Sequence, residues 1–506
     1  MYRVSTVVPR LVPSTQSLGR HARLIRIASA ISASQLSPLR AAASRITAPA
    51  ASRAYSSSMS GPETTQANGS AAPAPAARPA PPTLTPEQMA IVKSTAPVLK
   101  EHGVTITTLF YKNMINAHPE LRNVFSSTSQ ATGAQPRALA ASVLAYATYI
   151  DDLGKLTHAV SRIAHKHVSL NIRPEQYDIV GHHLIQTIGE VLGDAATPAI
   201  VDAWTAAYAV LADVFIGLEK GMYAEHSDWI GFRKFKVLRK VKESDAITSF
   251  YLAPSDGRKL PPFKPGQYVS LQLFVPQMGH LQSRQYSMSE APRREGDYYR
   301  ISVKRDDGTG LGGLPDAPGI VSVKLHDEVK EGDEVEVSHP QGEFFVDPAE
   351  AEGKRGAPLV LLSAGVGATP LMSILESVTV DPAAPEAART RPVSWVHASR
   401  SSGLRPFAPR VAEIEKASGG RVRARHFLSA VDPAVDVEGV SYHHGGARMD
   451  LARLDKDADL HVSDPRAEYY LCGPEAWMLD TRERLEAMGV SHDRIHLELF
   501  ATGDVQ

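Results

Sequence analysis

The chain carries Arg284-Gln-Tyr-Ser287 about eighty residues ahead of Ser363-Ala-Gly-Val-Gly-Ala-Thr-Pro370. The second string follows the apolar run Pro358-Leu-Val-Leu-Leu362, so it reads as a strand entering a glycine turn and a helix start. There the pyrophosphate of a dinucleotide can approach bare backbone. The first string sets a guanidinium, an aromatic ring and a hydroxyl within four residues, which suits the phosphate and isoalloxazine of a flavin. Further upstream, Leu156, Val160 and Ile163 step by four and three, and His167 continues that stripe. His165 falls about 200° around the same helix and is expected to face water. An imidazole directed into an apolar pocket can hold an iron, with its other ring nitrogen hydrogen-bonded. A satisfied core histidine is the plain alternative.

These residues need elements to position them. Tyr177 follows Pro174 and shares a stripe with Val180, Leu184 and Ile188; Glu219 lies one turn past Phe215 on the stripe Trp204, Tyr208, Leu211 and Phe215. A tyrosine, a carboxylate and an imidazole aimed at one pocket share hydrogen bonds, making the imidazole more anionic. Tyr111, one turn past Thr107 and one before Met114 and Ile115, can face the same cavity; ordinary packing is the alternative for each aromatic. Thr85-Pro86-Glu87 opens the folded part with a helix cap, and residues 85–223 read as helical throughout. From Phe232 the pattern changes to short strands over Phe235–Val241, Thr248–Leu252, Tyr268–Phe274, Tyr286–Ser289, Tyr298–Val303 and Glu334–Ser338, an antiparallel barrel. From Pro358, strands at Leu359–Leu362, Val393–His397, Val422–Phe427, Tyr469–Leu471 and Ile495–Leu499 alternate with helical stretches and predict a parallel sheet.

A length of 506 residues is too great for one core, and the formal charge of −1 argues against nucleic acid as a partner. The single cysteine, Cys472, excludes an internal disulfide framework and a cysteine-ligated cluster. No apolar run approaches the roughly eighteen residues of a membrane span. Residues 1–62 hold arginines at 3, 10, 20, 23, 26, 40, 45 and 53, many serines and no acid. That is the composition of a mitochondrial transit peptide, and Arg53-Ala-Tyr-Ser-Ser resembles its processing site. Met59 allows a shorter cytosolic product, and a tail without consequence is the alternative. From Gly61 to Pro82 the sequence is an Ala/Pro/Thr/Gly linker.

Lys166-His167, Pro174-Glu-Gln-Tyr177, Phe110-Tyr111, Pro119-Glu-Leu and Phe125, with the two motifs above, resemble the flavohaemoglobin family over residues 85–500. Composition places the transit peptide at 1–60 and the linker at 61–84; the resemblance implies an all-α globin domain at 85–224, an antiparallel FAD-binding barrel at 230–348 and an α/β NAD(P)-binding domain at 356–502. It implies one haem b with iron on His167, polarised by Tyr177 and Glu219, beside Lys166. Tyr111, Gln135 and Leu139 match the distal gas pocket, and Phe125 matches the ring against the haem. Pro136 places Gln135 at a helix start. One FAD is implied at Gly266-Gln-Tyr268, at Arg284, Gln285, Tyr286 and Ser287, and at Gly319, Val321 and Ser322. NADPH or NADH is implied at Gly365, Val366, Gly367, Ala368, Thr369 and Pro370, and at Cys472, Gly473 and Pro474.

His397-Ala-Ser-Arg400 ends a strand where the adenosine ribose is expected; Arg400 inclines the choice to NADPH, a solvated arginine being the alternative. Asp306–Pro318 is longer and richer in glycine and proline than the family pattern. The chain ends Glu498-Leu-Phe500-Ala-Thr where the family has Phe-Gly-Pro, with Phe500 still expected at the flavin. The activity implied is nitric oxide dioxygenase: NAD(P)H reduces FAD, FAD reduces haem iron, and the reduced haem with O2 converts NO to nitrate. A haem-based oxygen or redox sensor and an NAD(P)H flavin reductase are the competing readings. NO, O2 and NAD(P)H are the expected partners of a monomer.

Overall fold

The computed structural model describes residues 83–308 and 318–500. The arginine-rich leader, nearly all of the linker, residues 309–317 and residues 501–506 lie outside them. Thr85 opens the first helix: its hydroxyl accepts from the Gln88 amide (3.1 Å), and the Gln88 side chain accepts from the Thr85 amide (3.0 Å). Seven helices follow in order: α1 (Pro86–Ser94), α2 (Ala96–Ala117), α3 (Ser127–Ala131), α4 (Ala134–Thr148), α5 (Thr157–Ser169), α6 (Pro174–Leu192) and α7 (Pro198–Glu225). Proline stands in the first turn of α1, α2, α6 and α7, where its missing N–H costs nothing. Val92, Ile106, Phe110, Met114, Leu184, Ile188 and Trp204 form the core they enclose. Each such side chain contributes roughly 1.5–3 kcal/mol on burial.

Helix α7 corrects one expectation. It is long and apolar enough to cross a membrane by length and composition. Its apolar side packs into the helical core through Ala203, Trp204, Ala207, Ala212 and Phe215, with Glu219 buried among them. A core helix passes the same hydropathy test as a spanning one.

The next six strands are β1 (Phe232–Lys242), β2 (Ile247–Pro254), β3 (Tyr268–Val275), β4 (His280–Ser287), β5 (Tyr299–Lys304) and β6 (Glu334–Ser338), with α8 (Ile320–Asp327) before β6. Their order is β4-β3-β6-β1-β2-β5, antiparallel throughout, and a bridge between Met288 and Ile301 joins the two edges into a barrel. The strand expected at Tyr286–Ser289 is the end of a hairpin arm that begins at His280. Its first residues, His280 to Arg284, are mostly polar and lack apolar alternation, because they serve a boundary with the helices.

The last region holds β7 (Leu359–Ala364), α9 (Ala368–Thr379), α10 (Glu386–Arg389), β8 (Val393–Ser399), α11 (Ala408–Ala417), β9 (Val422–Leu428), β10 (His444–Gly445), β11 (Glu468–Cys472), α12 (Glu475–Ala487) and β12 (Ile495–Glu498). The sheet order is β10-β9-β8-β7-β11-β12, all parallel. The two-residue β10 is too short to leave a sequence pattern. After β7 the chain builds outward through β8, β9 and β10, then returns to the other side of β7 as β11. The order therefore reverses between β7 and β11, where a parallel sheet opens a ligand crevice at its carboxyl ends.

The helical region is sewn to the barrel at two places. At the first, the Ser270 hydroxyl of β3 donates to the Ser169 hydroxyl at the end of α5 (2.9 Å), and His165 Nδ1 lies 2.6 Å from Gln341 Oε1. His165, expected in water, is therefore half-buried against the loop after β6. At the second, Gln282 of β4 is 1% exposed. Its Oε1 accepts from the Ser127 amide (3.0 Å), and its Nε2 faces the carbonyls of Arg122 (3.3 Å) and Phe125 (3.4 Å). Asn123 Oδ1 accepts from the Leu281 amide beside it (2.8 Å). Gln282→Leu keeps the volume but strands the Ser127 amide and two carbonyls, at about 1–3 kcal/mol. The expected outcome is an earlier denaturant midpoint for the helical region; an unchanged midpoint would mean that water replaces these bonds without loss.

Candidate functional site

Helix α5 delivers His167 in its last turn, α6 brings Tyr177 in its first turn, and α7 brings Glu219 one turn beyond Phe215. The three side chains meet. Glu219 Oε1 lies 2.8 Å from His167 Nδ1 and 2.5 Å from the Tyr177 hydroxyl, which is itself 2.8 Å from Nδ1. A carboxylate can only accept, so Nδ1–H and the phenol donate to it, and the ring keeps its lone pair on Nε2. Glu219 is 3% exposed. Burial, and then the Glu219 charge, push the Tyr177 phenol far above its ordinary pKa, so it stays a donor at any physiological pH. The Tyr208 hydroxyl donates to the Tyr177 carbonyl (2.6 Å), and the Tyr223 hydroxyl to that of Ile172 (2.7 Å), fixing the start of α6.

A second group stands on α2 and α4. Tyr111 is buried, and Phe125 packs edge-on against it with ring centres 5.3 Å apart. Gln135 sits second in α4, two residues after the cap Gly133 at φ 69°, and its side chain hydrogen-bonds the Tyr111 phenol. The helix start expected from Pro136 is present, and it still reaches Tyr111. The reason is that the Thr107 hydroxyl donates to the Pro136 carbonyl (2.8 Å) and holds the first turn of α4 on α2. Burial raises the Tyr111 phenol strongly, with Gln135 pulling the other way.

Leu139, Val143 and Phe125 stay half-buried in this cluster, and Val160 and Ile163 do so around Tyr177 and Phe215; both clusters share Tyr208 and Leu211. His167 keeps 31% of its side chain accessible although Nδ1 is tied. Apolar walls, one imidazole with a free Nε2 and a phenol donor fit a haem.

The flavin motif lies at one end of the β3–β4 hairpin, where the register pairs Tyr268 with Ser287 and Ser270 with Gln285. Gly266 at φ 110° lets the chain enter β3 against the Phe344 carbonyl, which a Cβ would approach to 2.4 Å. Gln285 Nε2 donates to Ser270 (3.0 Å), extending the seam from Ser169. Tyr286 packs on the barrel core, and burial raises its phenol and that of Tyr268. Arg284 donates to the Thr128 hydroxyl (3.2 Å) and the Ser283 carbonyl (2.7 Å). Burial holds its pKa down, and it has no carboxylate partner among the described residues. A desolvated guanidinium without an anion fits a phosphate. Lys166 on α5 lies close enough to be lowered by burial and then by Arg162 and Arg284.

Gly319 caps α8. The Ser322 hydroxyl is used within the turn, donating to the Gly319 carbonyl (3.0 Å) and accepting from the Asp306 amide (3.2 Å). Val321 is buried in the barrel core at 1% exposure. This segment therefore offers backbone amides, not a free hydroxyl.

At the switch point, β7 runs into the turn Gly365–Gly367 and then α9, with Pro370 in the first turn. Gly365 takes φ 56°, and the Thr369 hydroxyl donates to the Val366 carbonyl (3.0 Å). A Cβ on Gly367 would stand 2.0 Å from the Cys472 carbonyl oxygen, so this turn lies directly against Cys472-Gly473, and Pro474 caps α12. Ala368 is buried beneath the turn. Burial raises the Cys472 thiol well above its ordinary value, which keeps it an un-ionised hydrophobe. Phe500 follows β12 and is 48% exposed.

Sequence reasoning missed Glu498, Gln282 and Gln341. Glu498 ends β12; burial and then Glu343 raise its pKa to about 8, while Arg162 and Lys166 of α5 pull it down. Its charge is therefore felt against cations of the helix carrying His167, and it ends the strand beside Cys472. An acid two residues before the expected flavin-facing Phe500 was the one available signal.

A globin family model matches residues 108–215, and an oxidoreductase NAD-binding domain model matches residues 361–483. The flavohemoprotein of Bordetella pertussis is 46% identical over 426 residues, covering 83% of this chain and 100% of the relative. The flavohemoprotein of Rhizobium meliloti is 43% identical, covering 82% of this chain and 98% of its own. The crystal structure of flavohemoglobin from Malassezia yamatoensis with bound FAD and heme superposes with a TM-score of 0.69 at 29% identity, over 83% of this chain and 100% of that one. With a globin region, an antiparallel barrel and a parallel NAD-binding sheet in that order, the chain belongs to the flavohemoprotein family.

Proposed function

We propose that this oxidoreductase is a nitric oxide dioxygenase that takes electrons from NAD(P)H and converts NO and O2 to nitrate. The observation that carries the reading is the Glu219–Tyr177–His167 hydrogen-bond group, in one chain with the Tyr111–Gln135 pair and a reductase. A plain flavin reductase has no use for a buried carboxylate behind an imidazole.

A haem held by His167 would supply O2 binding and one-electron chemistry, and an FAD held at the β3–β4 hairpin would supply the conversion of a hydride's electron pair to single electrons. The chain's own residues do the rest. Glu219 and Tyr177 fix the ring of His167 and enrich its Nε2 in electron density. Tyr111, kept protonated by burial, donates a hydrogen bond into the distal side, and Gln135 sets the direction of that phenol. Tyr286 and Tyr268 offer faces to the flavin ring, Ser287 a hydroxyl and Arg284 a fork to its phosphate. Lys166 and Arg162 of α5 bring positive charge towards Arg284 and Glu498.

The test is oxygen-dependent NO consumption by the holoenzyme. Nitrate should appear in equal amount to the NO lost, with one NAD(P)H used for each pair of nitrates; dinucleotide oxidation without nitrate would leave only a flavin reductase. In the same assay Tyr111→Phe should release O2 faster and remove NO more slowly at low O2.

We further propose that the leader directs part of the product to the mitochondrial matrix, with initiation at Met59 giving a cytosolic form. Its eight arginines without an acid over residues 1–62 support this. Fusing residues 1–62 to a fluorescent reporter should place it in mitochondria; a purely cytosolic reporter sinks the idea.

A further inference from the structure

A cleft of about 360 Å3 borders both places where the helical region is sewn to the barrel. Leu170 and Asn171 line it directly after the Ser169–Ser270 contact, and Asn123 and Ser283 line it beside Gln282. Arg173 and Gln176, at the start of α6, belong to the helical wall, and Phe232 and Gln272 to the barrel wall. A cleft of this size admits a small organic molecule.

Many of its polar groups are already committed. Asn123 Oδ1 accepts from the Leu281 amide (2.8 Å), and its Nδ2 donates to the Glu120 carbonyl (2.9 Å). Gln272 Nε2 donates to the Glu336 carboxylate (2.6 Å). Three groups are not committed. The side-chain oxygen of Asn171 is buried without a hydrogen-bond partner. It cannot swing free, because Asn171 closes α5 at φ 59°: its amide donates to the Val168 carbonyl (3.0 Å), and the next amide, of Ile172, to the His167 carbonyl (3.0 Å). A buried acceptor in this position calls for a donor. Gln176 Oε1 accepts from the Arg173 amide (2.8 Å), which leaves Nε2 without a partner among the described residues. The Arg173 guanidinium lies over the Tyr223 ring (5.4 Å) and has no carboxylate partner among the described residues. A guanidinium held against a ring still presents its N–H fork to a carboxylate. No Asp or Glu lines the cleft, and Val124, Leu170 and Phe232 add apolar surface.

We infer that this cleft binds a 2-hydroxycarboxylate with an apolar tail. The carboxylate meets Arg173 and Gln176, the hydroxyl donates to Asn171 Oδ1, and the tail covers Val124, Leu170 and Phe232. The cation and the orphaned acceptor are two residues apart, so the hydroxyl belongs next to the carboxylate. A plain carboxylate would satisfy Arg173 and leave Asn171 without a donor; an inorganic anion would also leave the apolar wall unused. Because both regions supply walls, the occupant fastens the helical region to the barrel.

The experiment is calorimetric titration of the oxidised, full-length holoenzyme with each enantiomer of 3-phenyllactate and with 3-phenylpropionate, at fixed ionic strength. The two acids differ only in the 2-hydroxyl. Wild type should bind one 3-phenyllactate enantiomer at least about tenfold more tightly than 3-phenylpropionate, as expected when a buried acceptor gains its donor. The same ligand should raise the denaturant midpoint of the helical region. Arg173→Gln should weaken both acids at least about tenfold, and Arg173→Lys should retain part of the binding. Asn171→Gly, which suits the φ of that position, should lower 3-phenyllactate to the affinity of 3-phenylpropionate. The inference is overturned if neither acid binds at millimolar concentration, if wild type binds both alike, or if tight binding survives Arg173→Gln. Binding that shifts the Soret band overturns it as well, since the ligand would then sit on the iron. The wild-type comparison needs no variant, so a substitution that fails to fold cannot hide the answer.

Discussion

Everything at the haem-facing end depends on one buried carboxylate. Glu219 lies among apolar residues of α7, where an unpaired charge costs several kcal/mol. It is tolerable only because two donors, the Tyr177 phenol and His167 Nδ1–H, converge on the same oxygen at 2.5 and 2.8 Å. That demand fixes the crossing of three helices at one point. It also fixes the tautomer of His167, and thus which nitrogen is left to bind iron. Removing either donor leaves the charge partly unpaired, so the local packing and the chemistry rest on the same contacts.

The same short helix carries the connection to the reductase. Within α5, His167 points into the helical core, His165 meets Gln341, and Ser169 meets Ser270. Lys166 and Arg162 act electrostatically on Glu498. One helix therefore carries the histidine of the helical core and two side chains hydrogen-bonded to the barrel. Gln282 and Asn123 tie the other end of that hairpin to the loop carrying Phe125. A displacement of the barrel cannot leave the haem side untouched, because hydrogen bonds at two separated places resist sliding.

Much of this was legible in periodicity. Tyr177, Val180, Leu184 and Ile188 recur at helical spacing, and Tyr177 and Glu219 meet His167 as that spacing requires. The strand–turn–helix at Gly365 and the parallel strands flanking it follow from alternating apolar runs and glycine. What escaped was set by distant partners. His165 faces water by helix geometry, but Gln341 of the loop after β6 covers it. The first half of β4 shows no apolar alternation because its polar side chains are satisfied by Arg122, Phe125 and Ser127. The Ser322 hydroxyl is engaged by the Gly319 carbonyl and the Asp306 amide, partners its local sequence does not reveal. Helix α7 shows the converse: it passes a span's length and hydropathy test, while one side of it packs in the helical core.

The most direct test of the account is the iron–histidine stretching frequency in the reduced, ligand-free protein, measured by resonance Raman for wild type and for Glu219→Gln. A ring hydrogen-bonded to a carboxylate binds iron more strongly than one bonded to a neutral amide. The account predicts a clear downshift in Glu219→Gln with the haem still bound. An unchanged frequency would show that Glu219 does not act on the iron through His167, and would contradict the central claim.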